Sequence, residues 1–228
     1  MFLPLYNTIK WLNIGVTAKS TFSLLPVNNE PALVLYGTSI MQGACASRPG
    51  LAWTNILGRK LNMPISNLGF SGNGRLEPPL IDLMNETNAK LFVLDCQPNL
   101  RDRKVYTEED IRHRIISSVR SLQSKHPQTP ILLVEHSRGL PFVNMDTALS
   151  LKYQWTSKIL ANTFSTLKRD GVKNIYLLTA TDIGFEREST TDGTHPNDIG
   201  MIKYADAYEK KIRKILDLEG KNKFSKRK

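Results

Sequence analysis

The stretch that decides the fold is Ala32-Leu33-Val34-Leu35-Tyr36-Gly37-Thr38-Ser39-Ile40-Met41-Gln42-Gly43. Five apolar residues in a row stop at a glycine and give way to small hydroxyl residues. An apolar run without polar alternation reads as a strand buried on both faces, the habit of parallel sheets covered by helices on either side. Four further short segments rich in Val, Ile, Leu or Tyr, each followed by turn or polar residues, are read as strands too: Ile65 to Leu68, Leu91 to Asp95, Ile131 to Glu135 and Asn174 to Thr179. Between them the pattern turns helical. Thr107-Glu108-Glu109-Asp110 has the form of a capping box, with acids at the partly positive helix start. Ile111, Ile115, Val119 and Leu122 then recur at helical spacing, and Pro127 and Pro130 enforce a stop. A second helix is predicted from Asp146 to Gly171, with Trp155, Ile159, Leu160, Phe164 and Leu167 facing the sheet. A last one runs from Asp198 to Leu218. The alternation gives an α/β fold: a three-layer α/β/α sandwich around a five-stranded, mostly parallel sheet. In such sheets ligands bind beyond the C-terminal ends of the strands.

The 228 residues, 40% hydrophobic and 23% charged, suit one globular domain with a sizeable core and exclude a disordered or collagen-like chain. No apolar run approaches the roughly 20 residues that span a bilayer. Met1 to Gly15 lacks the basic-apolar-small order of a signal peptide. Two cysteines, Cys45 and Cys96, exclude a disulfide scaffold and a Cys-rich zinc site, and both are expected as buried or semi-buried thiols rather than a bridge. The formal charge of +10 is uneven. Glu209 to Lys228 holds nine Lys or Arg against three acids, so the body is near neutral and the excess belongs to a solvated basic tail. That placement argues against nucleic acid as the partner.

Chemistry is to be sought just after each strand. Ser39 follows the first, between Gly37 and Gly43; alone it reads as a helix N-cap, and Met41 breaks the G-x-S-x-G elbow. Gly69-Phe70-Ser71-Gly72-Asn73-Gly74 follows the second and has more glycine than a turn needs, so its N–H groups suit an anion nest. A phosphate cradle is disfavoured because no G-x-x-x-x-G-K-[ST] follows. Asn99, after the third strand, carries an amide that can donate into a cleft but is also an ordinary loop residue. Asp192-Gly193-Thr194-His195-Pro196-Asn197 precedes the last helix and is either a surface turn or a general base with the carboxylate that orients it.

In this order the blocks resemble the SGNH or GDSL-like hydrolase superfamily, with its flavodoxin-like sheet. More closely, residues 36–43, 45–50, 67–75, 95–99 and 192–200 resemble its GDSL-like acylhydrolase branch common in Bacteroides-type bacteria. The resemblance implies Ser39 as nucleophile, His195 as base and Asp192 as its orienting carboxylate. It implies an oxyanion hole made of the Ser39 and Gly72 backbone N–H groups and the Asn99 amide, with Asn73 as the rival amide. Gly-Thr-Ser-Ile stands where the family has Gly-Asp-Ser-Leu, and Asp-Cys-Gln-Pro-Asn where it has Gly-x-Asn-Asp. The implied activity is hydrolysis of short-chain acyl esters, acetyl first, on a small molecule or carbohydrate, with no metal or organic cofactor. Lysophospholipase or thioesterase activity, or a non-catalytic module for anionic ligands, are the alternatives.

The branch often carries a β-rich domain before the hydrolase, and Met1 to Leu24 resembles the end of such a domain and its linker. The expected organisation is a segment at 1–30, a hydrolase domain at 31–218 and a basic tail at 219–228. A longer precursor would be periplasmic or secreted. Arg48, Arg75, Glu77, Glu135, His136 and Arg138 lie near the motifs without an assigned role. His113 and His126 are expected on or beside a helix.

Overall fold

The five strands are β1 (Ala32–Gly37), β2 (Ile65–Gly69), β3 (Ala89–Asp95), β4 (Ile131–Val134) and β5 (Ile175–Leu178). They form one sheet in the order β2-β1-β3-β4-β5, every neighbouring pair parallel. The computed structural model describes residues 1–26, 28–136 and 147–218. Arg138, the predicted helix start at Asp146 and the 219–228 tail lie outside the described residues.

The uninterrupted apolar runs follow from burial on both faces. Leu33, Leu35, Leu91, Val93, Leu132 and Val134 point to one core layer. Their alternating neighbours Val34, Tyr36, Phe92, Leu94, Ile131 and Leu133 point to the other. The first layer is closed by α1 (Ser39–Gln42) and α2 (Trp53–Leu61). The second is closed by α3 (Pro78–Asn85), α4 (Glu108–Lys125) and α5 (Thr147–Arg169). The short α6 (Ala180–Ile183) and the long α7 (Asp198–Ile215) complete the first layer.

The capping box of α4 is present in both directions, Thr107 with Asp110. Helix α5 ends two residues before the predicted Gly171, whose φ of +83° lets the chain turn back so that Val172 N–H bonds the Leu167 carbonyl. Ile159, Leu160 and Leu167 are buried as expected. Trp155 and Phe164 are only partly buried, since the α5 face that meets the sheet runs through Tyr153, Thr156, Leu160 and Thr163. Trp155 instead carries the Arg103 guanidinium over its ring at 4.5 Å.

Chain order and strand order diverge at β1, which lies between β2 and β3. This is a topological switch point, where the loops leaving neighbouring strands part and open a crevice. The register brings those ends level, with Gly37 beside both Gly69 and Asp95.

Candidate active site

Ser39 is the first residue of α1, directly beyond β1. The helix cap is Thr38, whose hydroxyl accepts from Ile40 N–H at 3.4 Å, so Ser39 is free of capping. The threonine standing in the family's aspartate position thus does a job either side chain can do. Ser39 Oγ lies 2.9 Å from His195 Nε2. On the far side of the imidazole, Nδ1 lies 2.7 Å from Asp192 Oδ2.

The loop before α7 is shaped by its own polar side chains. Asp192 Oδ1 accepts from the N–H groups of Thr194 at 2.9 Å and His195 at 2.7 Å. Burial works against the charged form of Asp192, yet these bonds together with the His195 ring outweigh it and hold the carboxyl below its ordinary range. Thr190 Oγ1 donates to the His195 carbonyl at 3.0 Å and accepts from Gly193 N–H at 2.7 Å. The 45–50 block braces this loop from outside: Ser47 gives its N–H (2.9 Å) and hydroxyl (2.6 Å) to Asp198, the first residue of α7.

The Gly-rich loop lies alongside. Phe70 N–H bonds the Gly37 carbonyl and Asn73 N–H the Phe70 carbonyl, both at 3.0 Å, making a tight turn with Gly72 at φ +72°. Gly74 runs so close to β1 that a Cβ there would sit 2.1 Å from the Gly37 carbonyl oxygen. Among the described residues, the N–H groups of Ser39 and Gly72 have no hydrogen-bond partner. The Asn99 amide donates to the Asn73 carbonyl, which spends one of its two N–H bonds. Asn73 holds the turn through its backbone, and its side chain is exposed. The structure therefore gathers Ser39, His195, Asp192, Gly72 and Asn99 at one end of the sheet.

A model of the GDSL-like lipase/acylhydrolase family matches residues 30–213. The chain belongs to that family. A GDSL-like lipase from Bacteroides ovatus shares 34% identity and superposes with a TM-score of 0.73, over 82% of this chain and 54% of that one. The salicylyl-acyltransferase SsfX3 of a tetracycline biosynthetic pathway (21% identity, TM-score 0.66, 83% and 56% covered) shares the fold. So does a family two carbohydrate esterase from Clostridium thermocellum (12% identity, TM-score 0.67, 86% and 67% covered). This GDSL-like chain spans about half the length of the first two. Comparison with curated proteins found no match.

Several polar residues around this GDSL-like site were given no role by the sequence. Asp95 is fully buried beneath it and accepts from Tyr208 Oη at 2.8 Å; burial pushes its carboxyl up to about 7, against the lowering effect of that bond. His136, beyond β4, is buried edge-on against Tyr153, with ring centroids 4.1 Å apart. Burial, with the nearby Arg101 guanidinium adding, drives His136 down to about 3. Tyr153 Oη reaches Thr194 Oγ1 at 3.3 Å, beside His195. Of the signals for these residues, only the polar ends of the apolar runs at Asp95 and Glu135-His136 were visible in one dimension. Among the described residues, no group of three His, Cys, Asp or Glu side chains is gathered to hold a metal ion.

Proposed function

We propose that the chain is a serine esterase that removes short acyl groups, acetyl first, from hydroxyls of a carbohydrate or small molecule. The observation that carries this reading is the hydrogen-bonded line Ser39 Oγ, His195 Nε2, His195 Nδ1, Asp192 Oδ2. With Asp192 accepting from Nδ1–H, Nε2 is left with its lone pair toward Ser39, the tautomer a general base requires. His195 takes the Ser39 proton as Oγ attacks the ester carbonyl, then returns that proton to the departing alcohol, leaving an acyl-enzyme. Water, deprotonated by the same imidazole, adds to the acyl carbon. Collapse releases the acid, and the proton returns to Ser39.

The negative oxygen of each tetrahedral intermediate needs donors fixed in advance. The two unpartnered N–H groups of Ser39 and Gly72 and the remaining Asn99 N–H suit that role, each worth about 3–4 kcal/mol when well placed. Family membership supports ester hydrolysis. A sugar acceptor is supported by relatives of the same fold named as carbohydrate esterases, among them an acetylesterase family member from Sinorhizobium meliloti.

The test is hydrolysis of 4-nitrophenyl acetate, butyrate and octanoate by wild type and Ser39→Ala. The expected result is turnover that falls with chain length and disappears in the variant. Preference for octanoate would move the substrate to lipid. Turnover surviving in Ser39→Ala would transfer the nucleophile elsewhere, with Ser71 the next candidate.

A further inference from the structure

Residues 2–6 belong to no helix or strand, yet they are seated on the site's edge. The Leu5 side chain lies over Gly43, where a Cβ would be 2.9 Å from Leu5 Cδ1. The Phe2 ring packs on Gly50, with the Arg59 guanidinium 5.0 Å from its centroid. The Tyr6 phenol meets the Ser71 side chain and is raised above its usual range by burial.

One side chain joins this segment to the Gly-rich loop. Gln42, the last residue of α1, donates from Nε2 to the Leu5 carbonyl at 3.1 Å and accepts at Oε1 from Ser71 N–H at 2.9 Å. Its backbone is pressed against the end of β2, since a Cβ on Gly69 would fall 2.3 Å from Gln42 N. Both ends of the amide are thus engaged, one on each side of a junction three residues from Ser39. The loop residue it grips is the neighbour of Gly72.

We propose that Gln42 is a positioning residue: the seated N-terminal segment fixes its amide, and the amide holds the Ser71–Gly72 backbone where an oxyanion donor must stand. The link to catalysis rests on the esterase reading above; the clamp itself does not. Donors misplaced by about 1 Å can cost up to 100-fold in rate, so one lost tether in a short loop has kinetic reach.

Two variants test it. Gln42→Met keeps the side chain's length and removes both hydrogen bonds. Leu5→Asp leaves Gln42 intact but puts a charge against Gly43 and unseats the segment. The first readout needs no substrate: exchange of the Ser71 amide hydrogen, followed by NMR, should quicken at least tenfold in both variants while the β1 and β3 amides stay protected. The second is steady-state hydrolysis of 4-nitrophenyl acetate, where kcat should fall about tenfold in Gln42→Met with KM within twofold. The combined variant should be no worse than Gln42→Met, because the segment acts through that amide. Wild-type exchange at Ser71 in Gln42→Met overturns the clamp. Faster exchange with unchanged kcat, or a combined loss equal to the product of the single losses, overturns the positioning role. Wild type inert toward every ester overturns the esterase reading and with it the positioning role, and Ser71 exchange still decides the clamp.

Discussion

Asp192 grips His195 twice, with Oδ1 on its backbone N–H and Oδ2 on its ring Nδ1, both at 2.7 Å. The carboxylate therefore fixes the position of the residue and the orientation of its imidazole in one stroke. Three residues of separation make this possible, because Gly193, at φ +83°, lets the loop fold back on itself. The second grip separates structure from chemistry. In Asp192→Asn the remaining oxygen still accepts the backbone N–H groups, but an NH2 faces Nδ1, which must become the acceptor. The proton then sits on Nε2, toward Ser39, and the base is lost. The expected outcome is a near-wild-type melting temperature with kcat for 4-nitrophenyl acetate down by about 10³–10⁴-fold. A loss below tenfold would show that the tautomer is not set by Asp192.

Gly74 tests whether the loop's approach to β1 is forced. Alanine there must adopt φ near +71° and bring its methyl against the Gly37 carbonyl, which is itself held by Phe70 N–H. Left-handed backbone without glycine costs about 1–3 kcal/mol, and the clash adds to it. Gly74→Ala is expected to lose more than about 2 kcal/mol in urea unfolding. Gly72→Ala meets open space and is expected to lose only the backbone part. Equal losses at the two positions would refute the close approach.

The cysteines give a simple count. Both are free thiols; Cys96 is buried as expected and Cys45, at φ +68° in a surface turn, is exposed instead, and burial pushes the Cys96 thiol well above its usual range. One equivalent should react with a disulfide reagent such as Ellman's in the native state and two in guanidinium. Cys45→Ser should abolish the native reaction.

The sheet was legible chiefly because its central strands β1, β3 and β4 are enclosed on both faces, which writes them as apolar runs. Edge strand β2 was legible through its bounding signals, although Ser66 and Asn67 interrupt its apolar character. Helices α2 and α3 went unread: at nine and eight residues they give periodicity little length. At the site, Ser39, Asp192 and His195 became candidates because they lie in loops just beyond a strand or ahead of the last helix, in blocks whose order resembles the family's. The partners that brace them could not. Gln42 with Leu5, Tyr208 with Asp95 and Ser47 with Asp198 are pairings 37 to 151 residues apart, and no local pattern encodes them. Asn99 lies between: its block was recognisable, but its grip on Asn73 depends on where the Gly-rich loop lands.

Asp95 and His136 make opposing demands on pH. With its folded value near 7, native Asp95 keeps a proton that the unfolded chain releases near 4. Its contribution is therefore fully present below about pH 4 and is lost as pH rises through 7, on the order of 4 kcal/mol from the three-unit shift. His136, folded value near 3, refuses a proton that the unfolded chain binds near 6.5, so its contribution is present above about 6.5 and is lost as pH falls toward 3. The windows overlap between about pH 4 and 6.5, where the two slopes offset. Asp95→Asn keeps an acceptor for Tyr208 and removes one slope. The variant's stability relative to wild type should rise as pH goes from 4 to 7 and level off above, measured by urea unfolding at half-unit intervals. Its own curve should fall more steeply than wild type's as pH drops below 6.5, because the His136 slope is then unopposed. A pH-independent difference between the two proteins would mean that Asp95 is ionised in the native core, and Tyr208 would then be its main support.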